Sequence, residues 1–286
     1  MELIHKVSID ENGITIAHLL RDKMNISARL LNKLKMNEKI LVNDIPVFSN
    51  YIIHTNDLVK VNLEFEEQDY ITPENIKLNI LYEDEYFLAV NKPAGMVVHP
   101  SSNHLSGTLA NGVKYYLNNV KKIRAINRLD RDTSGIVLFA KNEYIQELMI
   151  KYTKIEKEYL AIADGILPEK HGIIDLPIAR KEGSIMERCV SVEGQRAITH
   201  YTVIQEIQNK FSIVKLKLET GRTHQIRVHL AYLNAPILGD TLYGNETNLI
   251  KRQALHAIKM SFTHPITNKF LEINAPLPND IQNILS

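Results

Sequence analysis

The sequence predicts an α+β protein with two domains: a small N-terminal α/β domain of residues 1–64 and a larger domain of residues 80–286 with a mostly antiparallel mixed sheet. Three observations favour this class. From residue 80 onward, short β-branched runs alternate with helical stretches. Polar and apolar residues alternate in "FSIVKLKLE", residues 211–219, as expected of a sheet with one exposed face. Residues 65–79 are polar and acidic without apolar periodicity, which indicates a linker with few contacts across it.

The N-terminal domain contains a basic amphipathic stretch, "RDKMNISARLLNKLKMNEK", at residues 21–39. Ile26, Leu30, Leu31 and Leu34 recur in it at helical spacing, so that one face can pack while the basic side chains stay outside. The following residues alternate strand-like runs with turns at Asn-Asp dipeptides. The sequence therefore predicts a small helix-plus-sheet module, whose basic face on its own is more often a solvated surface than a binding face.

The larger domain alternates predicted strands and helices. Its helices are predicted at residues 107–119, 142–154 and 223–234. Its strands include "YFLAVNK", "GIVLFAK", "KEYLAIADG", "AITHYTVIQEI", "FSIVKLKLE" and "FLEINAP". The sequence contains no internal repeat, low-complexity tract, glycine-rich phosphate loop or paired-cysteine metal site. These patterns favour one sheet domain over a repeat or nucleotide-binding fold.

Composition predicts the class of the protein and its cellular compartment. The 286 residues are 44% hydrophobic and 23% charged, as in an ordinary globular protein, and the apolar runs are too short to span a bilayer. The single cysteine, Cys189, excludes an internal disulfide, and the opening "MELIHKVSID" lacks the apolar core of a signal peptide. We therefore expect a cytoplasmic protein without a membrane partner. The net charge of +1 means that any nucleic-acid interaction must depend on local charge.

The stretch "DRDTSG" places Asp130 and Asp132 two residues apart, directly before an apolar run. An EF-hand loop that began at Asp130 would have Lys141 at its twelfth position, where calcium needs a bidentate glutamate. The pattern also resembles the "DxDxT" nucleophile motif of haloacid-dehalogenase phosphatases, but that motif follows an apolar strand, and here the apolar run comes afterwards. The simplest interpretation of the isolated stretch is a turn in which an aspartate bonds backbone amides and Gly135 takes a positive φ.

Four segments in matching order indicate a function instead. "NRLDRDTSGIVLFAKN" resembles the "HRLDxxTSGLLLxAK" signature of the RluA-type pseudouridine synthases, and "LAVNKPAGMVVHP" resembles the family's "NKPxGxxVHP". "KEYLAIADG" is similar to its tyrosine motif, and "LETGRTHQIRVHLAYLNAPILGDTLYG" to its third motif. The resemblance covers roughly residues 80–276 and is more specific than any of its parts. One departure is Asn127, which stands where the signature has histidine.

The resemblance implies an RNA uridine isomerase with the pseudouridine synthase fold. Asp130 takes the place of the catalytic nucleophile, and aspartate side chains are ordinarily ionised at neutral pH. Arg227, in "HQIR", is the family's arginine, whose planar fork suits the orientation of a carboxylate. Tyr159 matches the tyrosine that packs beside the target base and takes part in proton transfer. Whether Asp130 attacks the ribose or the uracil ring, or stabilises a glycal-forming pathway, stays open.

Further residues are expected to contact the RNA. An enzyme that acts on a base must extrude it, and Arg128 is a candidate to occupy the gap. Lys92 and His99 are expected to shape the approach to the site, although His99 alone fits a structural histidine. Because His224 and His229 lie five residues apart and have no clear third partner, we expect no metal, and an isomerisation needs no cofactor.

The N-terminal module resembles the small RNA-binding domain of the ribosomal protein S-four type, through "NIS" at the start of its second helix, "ILVND" and "HTNDLVKV". In that family the basic helix lies on RNA phosphates, which makes Arg29, Lys33 and Lys35 candidates here. By this analogy ribosomal RNA is favoured over transfer RNA, and we expect a monomer. The alternatives are a non-catalytic RNA-binding or ribosome-assembly protein of the same fold, which predicts damage to the nucleophile or its arginine, and an aspartate-nucleophile phosphatase.

Overall fold

The computed structural model describes residues 1–65, 69–101, 104–118 and 122–285. Its N-terminal part forms a sheet of order β1-β4-β2-β3, in which every neighbouring pair is antiparallel. The elements in chain order are β1 (Glu2–Lys6), a 3₁₀ turn (Ile9–Glu11), α1 (Ile16–His18), a π-helical turn (Leu19–Lys23), α2 (Ala28–Met36), β2 (Ile40–Val42), β3 (Ile45–Pro46) and β4 (Leu58–Asn62).

The amphipathic prediction for α2 is confirmed, and its length is corrected. Ser27 caps the helix by accepting a 3.1 Å hydrogen bond from the amide of Leu30, and Leu30 and Leu34 are fully buried. The predicted stretch is interrupted before the cap because Asn25 has a φ of 54°, outside the helical range. The basic stretch therefore divides into a π-helical turn and a nine-residue helix.

The rest of the chain surrounds one large sheet. Its elements are β5 (Ile80–Glu83), β6 (Phe87–Lys92), α3 (Leu109–Tyr116), β7 (Arg124–Ala125), β8 (Ser134–Ala140), α4 (Glu143–Lys151), β9 (Glu156–Asp164), β10 (His171–Asp175), β11 (Ile178–Arg180), β12 (Arg188–Val190), β13 (Ile198–Ile207), β14 (Phe211–Leu218), α5 (Gln225–Tyr232), β15 (Leu255–Thr263), β16 (Phe270–Asn274) and α6 (Asn279–Leu285). No helix among these described residues is long and apolar enough to cross a membrane.

The large sheet has the order β10-β13-β14-β9-β15-β8-β6-β5, with β16 beside β15 and β7 beside β8. Its described pairs are antiparallel except for β8 and β15, which run parallel. Gly135 has a φ of 114° in this pair, and a Cβ there would lie 2.3 Å from the carbonyl oxygen of Ala257. Only glycine permits this approach. The predicted α+β class with a mostly antiparallel sheet is confirmed.

Strand β15 is an element that the sequence did not reveal. Its apolar residues are interrupted by His256 and Lys259, which obscure a strand pattern. In the structure β15 is mostly buried between β9 and β8, and the His256 ring makes a 2.8 Å hydrogen bond with the Ser134 hydroxyl. A polar group inside the sheet therefore has a partner that no local pattern discloses.

The expectation of few contacts between the N-terminal module and the large sheet is wrong. A hydrophobic cluster continues from α2 and the small sheet to helix α4 and to one face of the large sheet. The Tyr144 hydroxyl donates a 2.9 Å hydrogen bond to the carbonyl oxygen of Met24, and the Ser27 hydroxyl donates to Glu147. Lys33 also bonds Glu143. The sequence of the acidic stretch after β4 could not predict this interface, because the residues that form the interface lie on and beside α2 and on α4.

Candidate active site

The stretch "DRDTSG" spans the end of the loop between β7 and β8 and the first two residues of β8, and its first four residues form a tight turn. The amide of Thr133 donates a 3.2 Å hydrogen bond to the carbonyl oxygen of Asp130. The hydroxyl of Thr133 accepts a bond from the Gln253 amide, and Arg252 donates to the carbonyl oxygen of Asp132. A turn is therefore present and Gly135 has the predicted positive φ, but the turn closes through the main-chain carbonyl of Asp130 and not through an aspartate side chain, and residues just before β15 hold it. The side chain of Asp130 remains 28% exposed.

Lys92 holds the same loop from the other side. Its Nζ atom donates hydrogen bonds of 2.8 to 2.9 Å to the carbonyl oxygens of Pro93, Met96 and Arg131. Burial lowers the pKa of Lys92 to about 7, against the opposing effect of the nearby Asp132 carboxylate. Lys92 is 0% exposed, so it cannot contact RNA, and the expectation that it shapes the approach to the site is wrong. It positions the loop from inside.

Arg227 on α5 lies between two carboxylates. Its Nε and Nη2 atoms bond the two oxygens of Asp240 at 2.7 and 2.8 Å, and its Nη1 atom lies 3.2 Å from Oδ2 of Asp130. Burial opposes its charge, but the bonds to Asp240 and then Asp130 outweigh burial and raise the pKa of Arg227. The Tyr243 ring lies 5.1 Å from the guanidinium carbon. The arginine is thus fixed and permanently charged.

Tyr159 on β9 faces the same cleft, which Asp130, Arg227 and Arg128 also line. The tyrosine is buried, and its strand pairs with β14 on one side and β15 on the other. Burial, and next the negative charge of Asp130, raise the pKa of the Tyr159 hydroxyl, so it stays protonated at neutral pH. A carboxylate, a cation and an aromatic ring therefore meet in one open cleft.

The comparisons with known proteins show the family of the chain. Residues 86–232 match the family model described as RNA pseudouridylate synthase, which is half of the chain and includes Asp130, Tyr159 and Arg227. The chain belongs to the RNA pseudouridine synthases. Residues 4–59 match the model described as RluD ribosomal pseudouridine synthase N-terminal domain. The enzyme is thus an isomerase that acts on RNA and converts uridine to pseudouridine.

Individual relatives agree with the family. This synthase is 38% identical to an uncharacterised RNA pseudouridine synthase of Bacillus subtilis (strain 168), over 96% of this chain and 93% of the relative. It is 37% identical to the ribosomal large subunit pseudouridine synthase D of Pasteurella multocida (strain Pm70), over 82% of this chain and 78% of the relative. Among solved structures, human RNA pseudouridylate synthase domain containing 1 is similar with a TM-score of 0.59 and 26% identity, over 75% of this chain and 87% of the other.

His224 is a residue of the synthase site that sequence reasoning treated only as a possible metal ligand. It precedes α5 with a left-handed φ of 57°, and its Nε2 atom lies 3.8 Å from Oδ2 of Asp130. Its Nδ1 atom makes a 2.8 Å hydrogen bond with the Tyr243 hydroxyl. Burial lowers the pKa of His224, with the Asp130 carboxylate opposing it, so the ring is mainly neutral at neutral pH. It can exchange a hydrogen bond with substrate without adding charge.

Asp240 and Tyr243 were also missed as site residues. Both lie in "GDTLYG", the end of the segment that resembles the family's third motif. Asp240 lies 13 positions after Arg227, so their contact depends on how the loop after α5 folds back. The signal available in the sequence was the aspartate's place in the motif. Its partner could not be read from spacing.

The other residues that were predicted to contact RNA near the cleft differ in how exposed they are. Arg128 is exposed at the cleft, and the structure gives it no hydrogen bond or ion pair among the described residues. His99 is half-buried, and burial, followed by the nearby charge of Arg128, lowers its pKa. Asn127, at the position of the family's histidine, is buried and bonds the backbone of β8 through the carbonyl of Ile136 and the amide of Leu138. Asn127 thus supports the strand that follows the Asp130 turn.

Within the described ranges, no group of three His, Cys, Asp or Glu side chains could hold a metal ion. Both ring nitrogens of His229 already have partners, the Thr199 hydroxyl at 2.9 Å and the Leu176 carbonyl at 3.0 Å. His229 is therefore a structural histidine of α5. The site chemistry available from the described side chains is that of a carboxylate, a guanidinium, a phenol and an imidazole.

Proposed function

We propose that this synthase isomerises uridine in large-subunit ribosomal RNA, in the cytoplasm, with Asp130 as the nucleophile. The single observation that supports the nucleophile best is the 3.2 Å approach of Arg227 Nη1 to Asp130, in a cleft where the Asp130 side chain stays 28% exposed. The substrate class is supported by the match of residues 4–59 to a ribosomal synthase domain and by relatives named for the large ribosomal subunit. Because the relatives named for the large ribosomal subunit match most of this chain, we favour ribosomal RNA over transfer RNA as the substrate.

In this proposal each side chain has a defined task. The reaction breaks the bond from ribose C1′ to uracil N1, turns the ring and joins C1′ to C5; C5 loses its proton, and N1 gains one either from C5 or from solvent. The Asp130 carboxylate attacks the uridine or stabilises the charge that develops as the bond breaks. Arg227 holds that carboxylate in one orientation. Tyr159 contacts the uracil ring, and its neutral hydroxyl donates or relays the proton.

The N-terminal module supplies RNA affinity in the same proposal. Arg29 and Lys35 are exposed on α2, whereas Lys33 is half-buried at the interface with α4. Arg29 lies 3.6 Å from Glu143, which also bonds Lys33, so this carboxylate neutralises part of the charge of α2. Lys35 is therefore the strongest phosphate-binding candidate of the three. Arg128 enters the space that the target base leaves.

Pseudouridine mapping tests this function. Total RNA is compared between cells with the gene, cells without it, and deletion cells that carry either the wild-type gene or Asp130→Asn. We expect one or more pseudouridines of large-subunit ribosomal RNA to be lost on deletion and restored by the wild-type gene alone. Sites lost only from transfer RNA would contradict the substrate class, and restoration by Asp130→Asn would contradict the nucleophile.

A further inference from the structure

His224 contributes a ring nitrogen to the catalytic cleft and has no task in the function proposed above. Its side chain is 13% exposed and lines the cleft together with Asp130 and Tyr159. Its Nε2 atom lies 3.8 Å from Oδ2 of Asp130, the oxygen that also receives Arg227. Oδ1 of Asp130 makes no hydrogen bond to any residue that the structure describes. Nε2 therefore faces the space in which the substrate reacts.

Tyr243 determines which ring nitrogen of His224 carries the proton. The Tyr243 hydroxyl accepts a 2.8 Å hydrogen bond from the backbone amide of Arg188. Burial raises the pKa of this phenol, which therefore keeps its proton. Among the described residues, the acceptor within reach of that proton is Nδ1 of His224, at 2.8 Å. With Nδ1 as acceptor, the neutral ring carries its hydrogen on Nε2 and donates into the cleft.

The direction of the Nε2–H bond is fixed before substrate arrives. The Tyr243 ring meets the His224 ring edge to face, with 5.6 Å between the ring centres. The same tyrosine ring lies 5.1 Å from the guanidinium carbon of Arg227, which Asp240 holds in place. A donor that is already oriented needs no reorganisation at the moment when charge develops on the substrate.

The reaction places negative charge on the uracil oxygens. When the C1′–N1 bond breaks, its electron pair leaves with the uracil, and the charge spreads over N1, O2 and O4. If a carboxylate first adds to C6 of the ring, the charge appears on O4. A neutral N–H donor stabilises this charge, whereas a protonated imidazole would pair with the Asp130 carboxylate and weaken it as a nucleophile.

The turn of the base adds a second requirement. To bring C5 to the place of N1, uracil rotates about the line through N3 and C6, and this rotation exchanges the places of O2 and O4. One donor fixed in the protein therefore faces a carbonyl oxygen both before and after the turn. The enzyme can stabilise the departing base throughout without a movement of its own.

We propose that His224 is a catalytic residue that donates its Nε2–H to a carbonyl oxygen of the departing uracil, and that Tyr243 is a positioning residue that fixes this tautomer. The inference rests on the function proposed above and adds the group that stabilises the base. In this step the electron pair of the C1′–N1 bond passes to uracil, and His224 keeps its proton.

Two amide side chains at position 224 distinguish a donor from a structural histidine. In His224→Gln the amide nitrogen reaches the place of Nε2, whereas in His224→Asn it reaches only the place of Nδ1. His224 has a left-handed φ of 57°, a conformation that favours Asn over Gln. A structural role therefore predicts that Asn is the better substitute, and a donor role predicts the reverse order.

The probe is total RNA from cells that lack the gene, which contains the substrate of this synthase whatever its class. We expect His224→Asn to lower the maximal single-turnover rate by about 10²-fold, the usual effect of removing one such donor, with RNA affinity within about twofold of wild type. His224→Gln should stay within about tenfold of wild type. Urea unfolding of both variants should show that Asn is at least as stable as Gln.

The role of Tyr243 is tested in two backgrounds. Tyr243→Phe should slow the wild type by several-fold, because the proton of His224 is no longer held on Nε2. In the His224→Gln background the same change should cost little further activity, because an amide nitrogen always carries its hydrogens. An equal loss in both backgrounds would show that Tyr243 acts only through packing and would overturn its positioning role.

A modified substrate tests the charge on the base. The RNA segment that the wild type modifies is transcribed with uridine or with 5-fluorouridine, whose fluorine withdraws electrons and stabilises the departing base. Loss of the starting nucleotide is measured. The gap between wild type and His224→Asn should shrink from about 10²-fold to less than about tenfold, because less charge remains for the donor to stabilise. An unchanged gap would overturn the inference.

Failure of the proposed function and failure of this inference have different signatures. Modification of transfer RNA alone would contradict the substrate class, while the order of the two amide variants on that RNA would still decide the role of His224. An Asn variant as fast as the Gln variant, or faster, would assign His224 a structural role and overturn the inference, whatever the result at Asp130.

Discussion

Arg227 donates one hydrogen bond of 3.2 Å to Asp130. The same guanidinium makes two shorter bonds to Asp240, so Asp240 sets its plane and Asp130 receives only its remaining edge. A carboxylate held by one longer bond keeps lone pairs available for attack, whereas a bidentate pair would occupy both oxygens. The geometry therefore assigns the two aspartates different tasks, which can be separated by substitution.

The first prediction concerns the two aspartates of the catalytic turn. Asp130→Asn should retain the fold and RNA affinity but abolish isomerisation, because a neutral amide of nearly the same shape attacks poorly. Asp132→Asn is the matched control, since Asp132 pairs with its neighbour Arg131 at the surface. Turnover of both purified variants is measured on one transcribed substrate. Asp130→Asn activity within about tenfold of wild type, or an equal loss in the control, would show that the nucleophile is misassigned.

The second prediction concerns the buried pair of Arg227 and Asp240. Asp240→Ala should lower the free energy of unfolding by about 3–5 kcal/mol, because it leaves a buried guanidinium with only Asp130 as a partner. It should also lower turnover, since Arg227 loses its fixed plane. Arg227→Ala with Asp240→Ala should cost less than the sum of the single changes. Urea unfolding of the four proteins checks this, and additive losses would show that the pair does not act as a unit.

The third prediction separates the ring of Tyr159 from its hydroxyl. Tyr159→Phe keeps the buried ring but removes the proton, so turnover should fall by about 10²-fold while RNA affinity stays constant. Tyr159→Leu should lose both. Because burial and Asp130 raise the pKa of this phenol, no loss of activity from its ionisation is expected up to pH 10. Single-turnover rates with the three proteins provide the measurement, and a Phe variant as fast as wild type would restrict Tyr159 to packing.

The fourth prediction uses the buried amine of Lys92. Burial lowers the pKa of Lys92 to about 7 in the folded protein, from 10.5 for an ordinary lysine. Between these values the unfolded chain binds more protons than the folded one, so this group makes stability rise with pH from about 7 to 10.5. We expect the unfolding free energy of wild type, relative to Lys92→Met, to increase between pH 6 and pH 10. A difference that is independent of pH would show that Lys92 keeps its proton throughout.

The fifth prediction compares two lysines of α2. Lys35 is exposed and has no ion pair among the described residues, whereas Lys33 bonds Glu143 of α4. Lys35→Gln should weaken RNA binding and reduce its salt slope by roughly 0.7 to 0.9, because one phosphate contact is lost. Lys33→Gln should mainly lower stability, by loosening the interface with α4. Binding and unfolding are measured for both variants, and identical effects would remove the distinction between a phosphate contact and an interface bond.

The motif segments predicted residues that converge in space, even though they lie far apart in the sequence. Asp130, Tyr159 and Arg227 come from three segments, and the structure places all three around one cleft. The three predicted helices of the large domain were also found, within their predicted ranges but shorter, since helix ends fray and depend on capping contacts, whereas α6 was not predicted.

What the sequence could not provide were contacts between segments. The burial of Lys92 depends on three carbonyls, one of which belongs to the catalytic turn 39 residues away. The pairing of Lys33 with Glu143 joins two amphipathic helices whose polar faces each look solvated when taken alone. Local periodicity describes which face of an element is apolar, but it does not identify the charged residue on another element that meets its polar face.

The position of β15 also has a consequence for when the cleft can assemble during synthesis. This strand lies between β9, which carries Tyr159, and β8, which follows the Asp130 turn, yet it comes near the end of the chain at Leu255–Thr263. During synthesis, β8 and β9 emerge well before the strand that joins them, and such long-range pairings form late in folding. A chain that ends before β15 therefore lacks the strand between the two sides of the cleft, and we expect such a nascent copy to leave the RNA around it unmodified.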